Sequence, residues 1–149
     1  MKVQTAAWMR DEHRVTRELI GEVTRVVGRA SSANMPEWLD ELRYYFSRLR
    51  AHLKKHMKAE EAGGYLEPVL ELRPTLSPEV DRLKGEHIEL ALSLDQICDE
   101  LERLEPDDKP SITDTCHRIQ HLISAVRHHE NREELLVTYA FNQDLGGHD

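Results

Sequence analysis

Four stretches of this chain carry apolar residues in alternating steps of three and four, and each row has one histidine set into it. The clearest row is Val80, Leu83, His87, Leu90, Leu94, Ile97, Leu101 and Leu104, where every member except His87 is aliphatic. Such spacing puts the row on one face of an α-helix, about seven turns long, and that face must be buried. A first row runs through Ala6, Met9, His13, Thr16, Ile20, Val23 and Val27, within a helix expected over 5–30. A second runs through Leu39, Leu42, Phe46, Leu49, Leu53, His56 and Glu60, in a helix expected to end near Ala62. The last runs through Ile112, Thr115, Ile119, Leu122, Val126, His129, Glu133, Leu136 and Ala140, in a helix expected to end near Asn142.

The breaks between the rows are capped. Ser31-Ser32-Ala33-Asn34 ends the first helix, and Asn34 with Glu37 three residues later forms an N-cap signature, with Pro36 in the first turn. Gly63-Gly64 stops the second helix, and 65–72 has room for a further helical turn or two before Pro74. Ser77 before Pro78 is the expected cap of the third long helix, and Ser111, after the polar run 105–110, that of the fourth. Four long amphipathic helices with short connections make an all-α, up-down-up-down four-helix bundle, one domain over 1–149. A coiled-coil dimer is the structural alternative, and the capped breaks favour chain reversal within one domain.

Composition excludes several roles. A net charge of −8 argues against nucleic acid as the main partner. No run approaches the roughly 18 apolar residues of a membrane span. Two cysteines, Cys98 and Cys116, do not make a disulfide framework, and the N-terminus lacks the apolar core of a signal peptide. A reduced, cytoplasmic protein is expected.

The heights of the polar row members agree. His13 and His56 lie about 18 and about 22 residues from the turn between their helices, a mismatch of about 6 Å at 1.5 Å per residue. His56 and His87 are about equally far from their connection, as are His87 and His129 from theirs. One layer of the bundle should therefore hold a histidine from every helix, with Glu60 and Glu133 one turn along. Thr16 is satisfied by bonding a carbonyl one turn back. The histidines and glutamates have no such local remedy. Each buried polar group left unpaired costs about 1–3 kcal/mol, and an unpaired carboxylate more. Hydrogen bonds within His56/Glu60 and His129/Glu133 satisfy two pairs and leave His13 and His87 unexplained. A pair of cations satisfies all six, with the two-oxygen carboxylates suited to bridging. Donors of this kind favour iron or manganese over zinc.

Over nearly its whole length this layout resembles the hemerythrin-like HHE cation-binding domain. The matching residues are D-E-H ending at His13, H-M-K-A-E-E at 56–61, G-E-H ending at His87, and H-H-E-N-R-E-E at 128–134. The resemblance implies a non-haem, oxo-bridged di-iron site with His13, His56, Glu60, His87, His129 and Glu133 as ligands, Glu60 and Glu133 bridging. Oxygen-carrying hemerythrins have a second histidine four residues after the one on the third helix, where this chain has Ala91. Their fourth-helix carboxylate is an aspartate five residues after its histidine; here Glu133 stands at four. The pattern is closer to the iron-centre repair proteins and the iron-sensing domains of the family. The implied function is handling or sensing iron, oxygen or nitric oxide. The alternatives are a di-iron peroxidase, oxidase or nitric oxide reductase, reversible oxygen binding, and a metal-free interaction module.

Other residues have plainer readings. His52, one turn before His56, is a further ligand or a supporting group, although Leu53 fits the row better. His117, His121 and His128 form a side stripe, solvent-facing or a secondary metal site. Cys98 and Cys116 fall at similar heights, as core thiols or a redox pair. Tyr44, Tyr45 and Tyr65 pack or cap the bundle, and Tyr45 is a candidate to approach the layer, with no sequence signal that places it there.

Overall fold

The computed structural model describes residues 2–30 and 34–146, with side chains described over 5–30 and 34–141. Four long helices dominate: α1 (Lys2–Gly28), α2 (Met35–Ala59), α4 (Ser77–Arg103) and α5 (Lys109–Gly146), with the short α3 (Leu66–Leu72) between α2 and α4. The described residues contain no strand. Each long helix packs on the next in sequence, and α1 meets α5 to close the ring. This is the expected up-down-up-down bundle. No helix among the described residues is long and apolar enough to cross a membrane.

The predicted rows are the buried rows. Every row member of α2, α4 and α5 is buried. Only the ends of the α1 row drift: Val26 is buried in place of Val27, and Ala6 is half-buried beside the buried Thr5. A helix of 3.6 residues per turn slips against any fixed sequence of threes and fours, and the slip shows first at the ends.

Polar contacts fix the helices against each other. The Trp38 indole N–H donates to the Val26 carbonyl at 2.6 Å, pinning the start of α2 to the end of α1. Arg43 donates to the carbonyls of Leu101 (2.8 Å) and Leu104 (3.0 Å), satisfying the C-terminal end of α4. Arg50 and Lys54 both reach Asp95, joining α2 to α4 midway.

The caps are partly as expected. Asn34 accepts from the Glu37 N–H at 3.3 Å, while 31–33 lie outside the described residues. Ser111 is not the cap of α5: Asp108 accepts from the Ser111 N–H at 3.2 Å, so the helix begins earlier, with Pro110 in its first turn. Ser77 caps nothing either. A 3-10 turn over Pro74–Leu76 runs directly into α4, and its backbone bonds replace a side-chain cap. Both serines lost to a preceding residue that could start the helix sooner. The tail 147–149 lies outside the described residues.

The end of α2 shapes the site. The helix widens into a π turn over Glu60–Gly64, and the chain leaves it through Gly63 at φ 102°. Gly64 also has no room for a side chain, because a Cβ there would stand 2.6 Å from the Ala59 carbonyl and 3.0 Å from the Trp8 ring. Glu60 and Glu61 therefore sit on a wide turn, a feature common at functional sites.

The core is not continuous. One apolar cluster, including Ile20, Leu42, Phe46, Leu94 and Ile119, fills one end of the bundle. A second, including Met9, Leu66, Val69, Val80 and Ala140, fills the other. Between them lie the buried polar residues His13, His56, Glu60, His87, His129, Glu130 and Glu133.

Replacing Gly63 forces an L-residue into the left-handed region. Gly63→Ala should lower unfolding free energy by about 1–2 kcal/mol in urea titration of the metal-free protein. An unchanged midpoint would show that the turn relaxes without strain.

Candidate metal centre

All six residues picked out by the seam pattern meet in this layer. Ligand atoms of His13, His56, Glu60 and Glu133 lie within 4.8 Å of one another, and so do those of Glu60, His87, His129 and Glu133. The two sets share both glutamates. The histidines of one come from the first two long helices, those of the other from the last two.

The carboxylates are divided between the sets oxygen by oxygen. Glu133 turns Oε1 to His13 Nε2 (3.2 Å) and Oε2 to His87 Nε2 (3.3 Å) and His129 Nε2 (3.0 Å). Glu60 turns Oε2 to His56 Nε2 (3.2 Å) and His13 Nε2 (4.0 Å), and Oε1 to His87 Nε2 (3.1 Å). Every histidine therefore points Nε2 inward. The α-helical spacing of four residues supplies the His129/Glu133 pair. His56 and Glu60 have the same spacing, with Glu60 opening the π turn.

The outward nitrogens, Nδ1, face a second group of carboxylates. His13 Nδ1 meets Glu134 at 2.9 Å, His87 Nδ1 meets Glu61 at 2.6 Å, and His129 Nδ1 meets Glu86 at 2.7 Å. His56 Nδ1 lies 3.7 Å from Glu12, too far for a hydrogen bond. The pattern is cyclic. The α1 carboxylate serves the α2 histidine, that from the end of α2 the α4 histidine, that of α4 the α5 histidine, and that of α5 the α1 histidine. An Nδ1–H donated outward leaves the Nε2 lone pair directed inward, which is how metal-binding histidines are commonly oriented.

These four acids escape a search along the rows because each lies one residue off its seam. The signal was nonetheless present: Glu12 precedes His13, Glu86 precedes His87, Glu61 follows Glu60 and Glu134 follows Glu133. A neighbour on a helix points about 100° away, toward the adjacent helix rather than the bundle axis. Two further residues lie outside the expected set. Tyr65, fully buried, donates its hydroxyl to Glu133 Oε2 at 2.8 Å. Tyr45 does not approach the layer and instead lies under the Arg25 guanidinium, 5.6 Å from its ring centre. Glu130 is buried on α5, with Oε2 3.8 Å from His13 Nε2.

His52 is not in either set. It stacks on His56 with ring centres 5.9 Å apart, and its Nε2 lies 3.0 Å from the Thr16 hydroxyl. Thr16 in turn donates to the Glu12 carbonyl at 3.1 Å, the back-bond expected of it. His117, His121 and His128 are exposed and form no third set among the described residues. Both thiols are free, and burial pushes the Cys116 thiol up, as befits a core residue.

The layer is electrostatically divided. Burial opposes a charge on His13 and His87, but the facing carboxylates outweigh it and raise them to about 9 and about 10. His56 and His129 are raised for the same reason, against the same burial. Burial would raise Glu133, yet the facing imidazoles of His129, His13 and His87 hold it well below the usual carboxylate range. Glu60 has fewer partners; burial and the nearby Glu133 raise it. Burial raises Glu130 to about 7, against the pull of His13.

Several buried atoms still have no hydrogen-bond partner: His56 Nδ1 and Nε2, both oxygens of Glu60, His129 Nε2 and Glu130 Oε2. Four of these are inward atoms of the two sets. Ligand atoms adjacent on a cation, with bonds of about 2.1 Å, lie about 3 Å apart. The close Nε2–carboxylate separations of the layer run from 3.0 to 3.3 Å. The residues present thus fit a cation in each set.

A helical bundle with two buried His/Glu sets is a cation-binding architecture. Residues 4–140 match the family model of the Hemerythrin HHE cation binding domain, and the chain belongs to that family. No curated protein and no solved structure matches the chain significantly.

The charge states make a pH prediction for the metal-free protein. A group raised on folding stabilises the fold while it holds its proton. For His13 and His87 this contribution is complete below the ordinary 6.5 and lost through about 9 and about 10. For Glu130 it is complete below 4.5 and lost through about 7. Thermal unfolding of the chelator-treated protein should therefore show a Tm falling by several degrees between about pH 6 and about pH 9. A Tm flat or rising over that range would contradict the assigned charges.

Proposed function

We propose that this chain is a non-haem di-iron protein that handles or senses iron, oxygen or nitric oxide through its buried layer. The observation that carries this reading is the division of Glu60 and Glu133, each giving one oxygen to either histidine pair. Carboxylates arranged so are suited to bridging two cations. His13 and His56 would hold one, His87 and His129 the other. Mixed nitrogen and hard oxygen donors suit iron or manganese. Bound iron would supply redox change and an acceptor for small ligands. The free thiols fit a reducing, cytoplasmic setting.

The protein's own residues do the rest. Glu61, Glu86 and Glu134 hold three imidazoles in the tautomer that faces inward. Tyr65 fixes one oxygen of Glu133. The apolar clusters on either side exclude water and keep each donor strong.

Metal must displace protons from these donors. At neutral pH His13 and His87 hold protons in the metal-free state, so loading should release about two protons per chain or more, measured by calorimetry in buffers of different ionisation enthalpy. Release of none would contradict direct binding at the imidazoles.

Metal analysis of iron-loaded protein should give two irons per chain. Glu60→Ala and Glu133→Ala should each lose at least one, and His128→Ala neither. Equal loss from all three would refute the site. Aerobic and anaerobic spectra of the iron-loaded protein, with and without nitric oxide, distinguish the candidate ligands. No spectral change with either gas would leave iron itself as the ligand handled.

A further inference from the structure

The outer face formed by α4 and α5 has its charges sorted by helix. Two grooves run along it and meet at Arg132, which lines both. The charged residues that α4 gives them are Glu79, Glu86, Glu89 and Glu100, with Arg82 the one base. From α5 come the exposed Arg118, His121, His128 and Arg132, and no acid. At one end of the face two large apolar side chains stand in solvent, Leu135 at 69% exposure and Tyr139 at 51%. Leu76 and Leu83 lie beside them.

Two ion pairs fix how α4 lies against α5. Glu86 meets Arg132 at 2.6 Å, and Glu100 meets Arg118 at 2.6 Å. The helices run antiparallel, so one turn on from Glu86 and one turn back from Arg132 brings Glu89 level with His128. Both are exposed, and neither has an ion pair among the described residues. A twofold axis running along the bundle lays α4 of each copy on α5 of the other and changes no residue's height. Acids then face bases along the whole face. Glu86 and Arg132 of both copies close a ring of alternating charge, as do Glu100 and Arg118, and Glu89 of one copy faces His128 of the other. Leu135 and Tyr139 land on Leu76 and Leu83 of the second copy. An axis across the bundle sets the acids of α4 against each other instead, which like-charge repulsion disfavours.

We infer that this chain pairs with a second copy of itself through the α4/α5 face, about a twofold axis parallel to the bundle. The face is large enough. From Glu79 to Glu100 it is about 32 Å long, and two helices side by side make it about 20 Å wide. A footprint of about 640 Å² on each copy falls within the range of stable interfaces. Apolar anchors at one end and paired charges along the rest supply affinity and register respectively. The α2/α4 side lacks this self-complementarity. There the exposed Ile88 is bordered by Lys54, Lys55 and Lys58 against one acid, Glu61. Glu86 also accepts from His129 Nδ1 at 2.7 Å, so the second copy covers that contact and the interface borders the buried layer. The inference does not depend on which cation occupies that layer.

Sedimentation velocity of the full chain, from about 1 to about 100 μM, tests the pairing. The wild type should be dimeric at the upper end. Leu135→Glu and Tyr139→Glu should each weaken association about tenfold or more. His128→Glu, which sets an acid against Glu89 of the other copy, should weaken it severalfold, and adding Glu89→Arg should restore it. Ile88→Glu, on the α2/α4 side, should leave it unchanged. Circular dichroism melts check that each variant folds, and Tyr139→Glu decides if Leu135→Glu does not. A wild type that stays monomeric at about 100 μM overturns the inference, whether or not the face then takes a different protein. So does a dimer indifferent to both apolar substitutions, or one broken equally by Ile88→Glu. A charge swap that fails to restore association overturns the twofold pairing of α4 with α5.

Discussion

The structure turns on two carboxylates, Glu60 and Glu133, buried together at the centre of a helical bundle with no exposure. Like charges at this range in a dry interior repel strongly, and neither can be left without positive partners. Four imidazoles supply the partners, one from each long helix. This requirement fixes the relative heights of the helices more tightly than apolar packing does, since an apolar row tolerates a slide of a turn and a shared carboxylate does not. The core is accordingly split into two apolar clusters with a polar layer between them.

Protons and cations compete for the same places in that layer. Without metal, raised histidines and a lowered Glu133 make a set of buried ion pairs. Bound metal would take the place of the protons on the inward Nε2 atoms. The outer acids Glu61, Glu86 and Glu134 matter in both states, because they fix which nitrogen of His87, His129 and His13 carries the outward proton. Three of the four histidines are held by an acid of a neighbouring element, so the ring couples the site to the bundle. A change in one interhelical distance alters an imidazole on the next helix. The weakest link is His56, whose outward nitrogen lies 3.7 Å from Glu12 and whose ring is steadied instead by stacking on Trp8.

Much of this was legible in the sequence because the inner donors obey the helical period. His13, His56, Glu60, His87, His129 and Glu133 all stand at row positions where an aliphatic residue belongs, and chain length from each turn places them at one height. Counting along the row also separates His129 from His128 and Glu133 from Glu134. What the rows could not show lies off them. The outer acids point between helices, and that direction depends on which helices are neighbours. Tyr65 precedes a short helix whose angle only the packed structure sets, so its reach to Glu133 left no periodic trace; Tyr45, nearer to a row, was the wrong tyrosine. Glu130 sits beside His129 and looks like a surface residue until α1 is packed against it. The caps expected at Ser111 and Ser77 went astray because capping is a competition among neighbouring residues, and a preceding residue started each helix sooner.

The central claim is that one layer holds two cations between shared carboxylates. Crystals of the iron-loaded protein, measured by anomalous diffraction at the iron edge, test it most directly. Two peaks should appear in each chain, one among His13, His56, Glu60 and Glu133 and the other among Glu60, His87, His129 and Glu133. A single peak, or peaks only at the exposed His121 and His128, would contradict the claim.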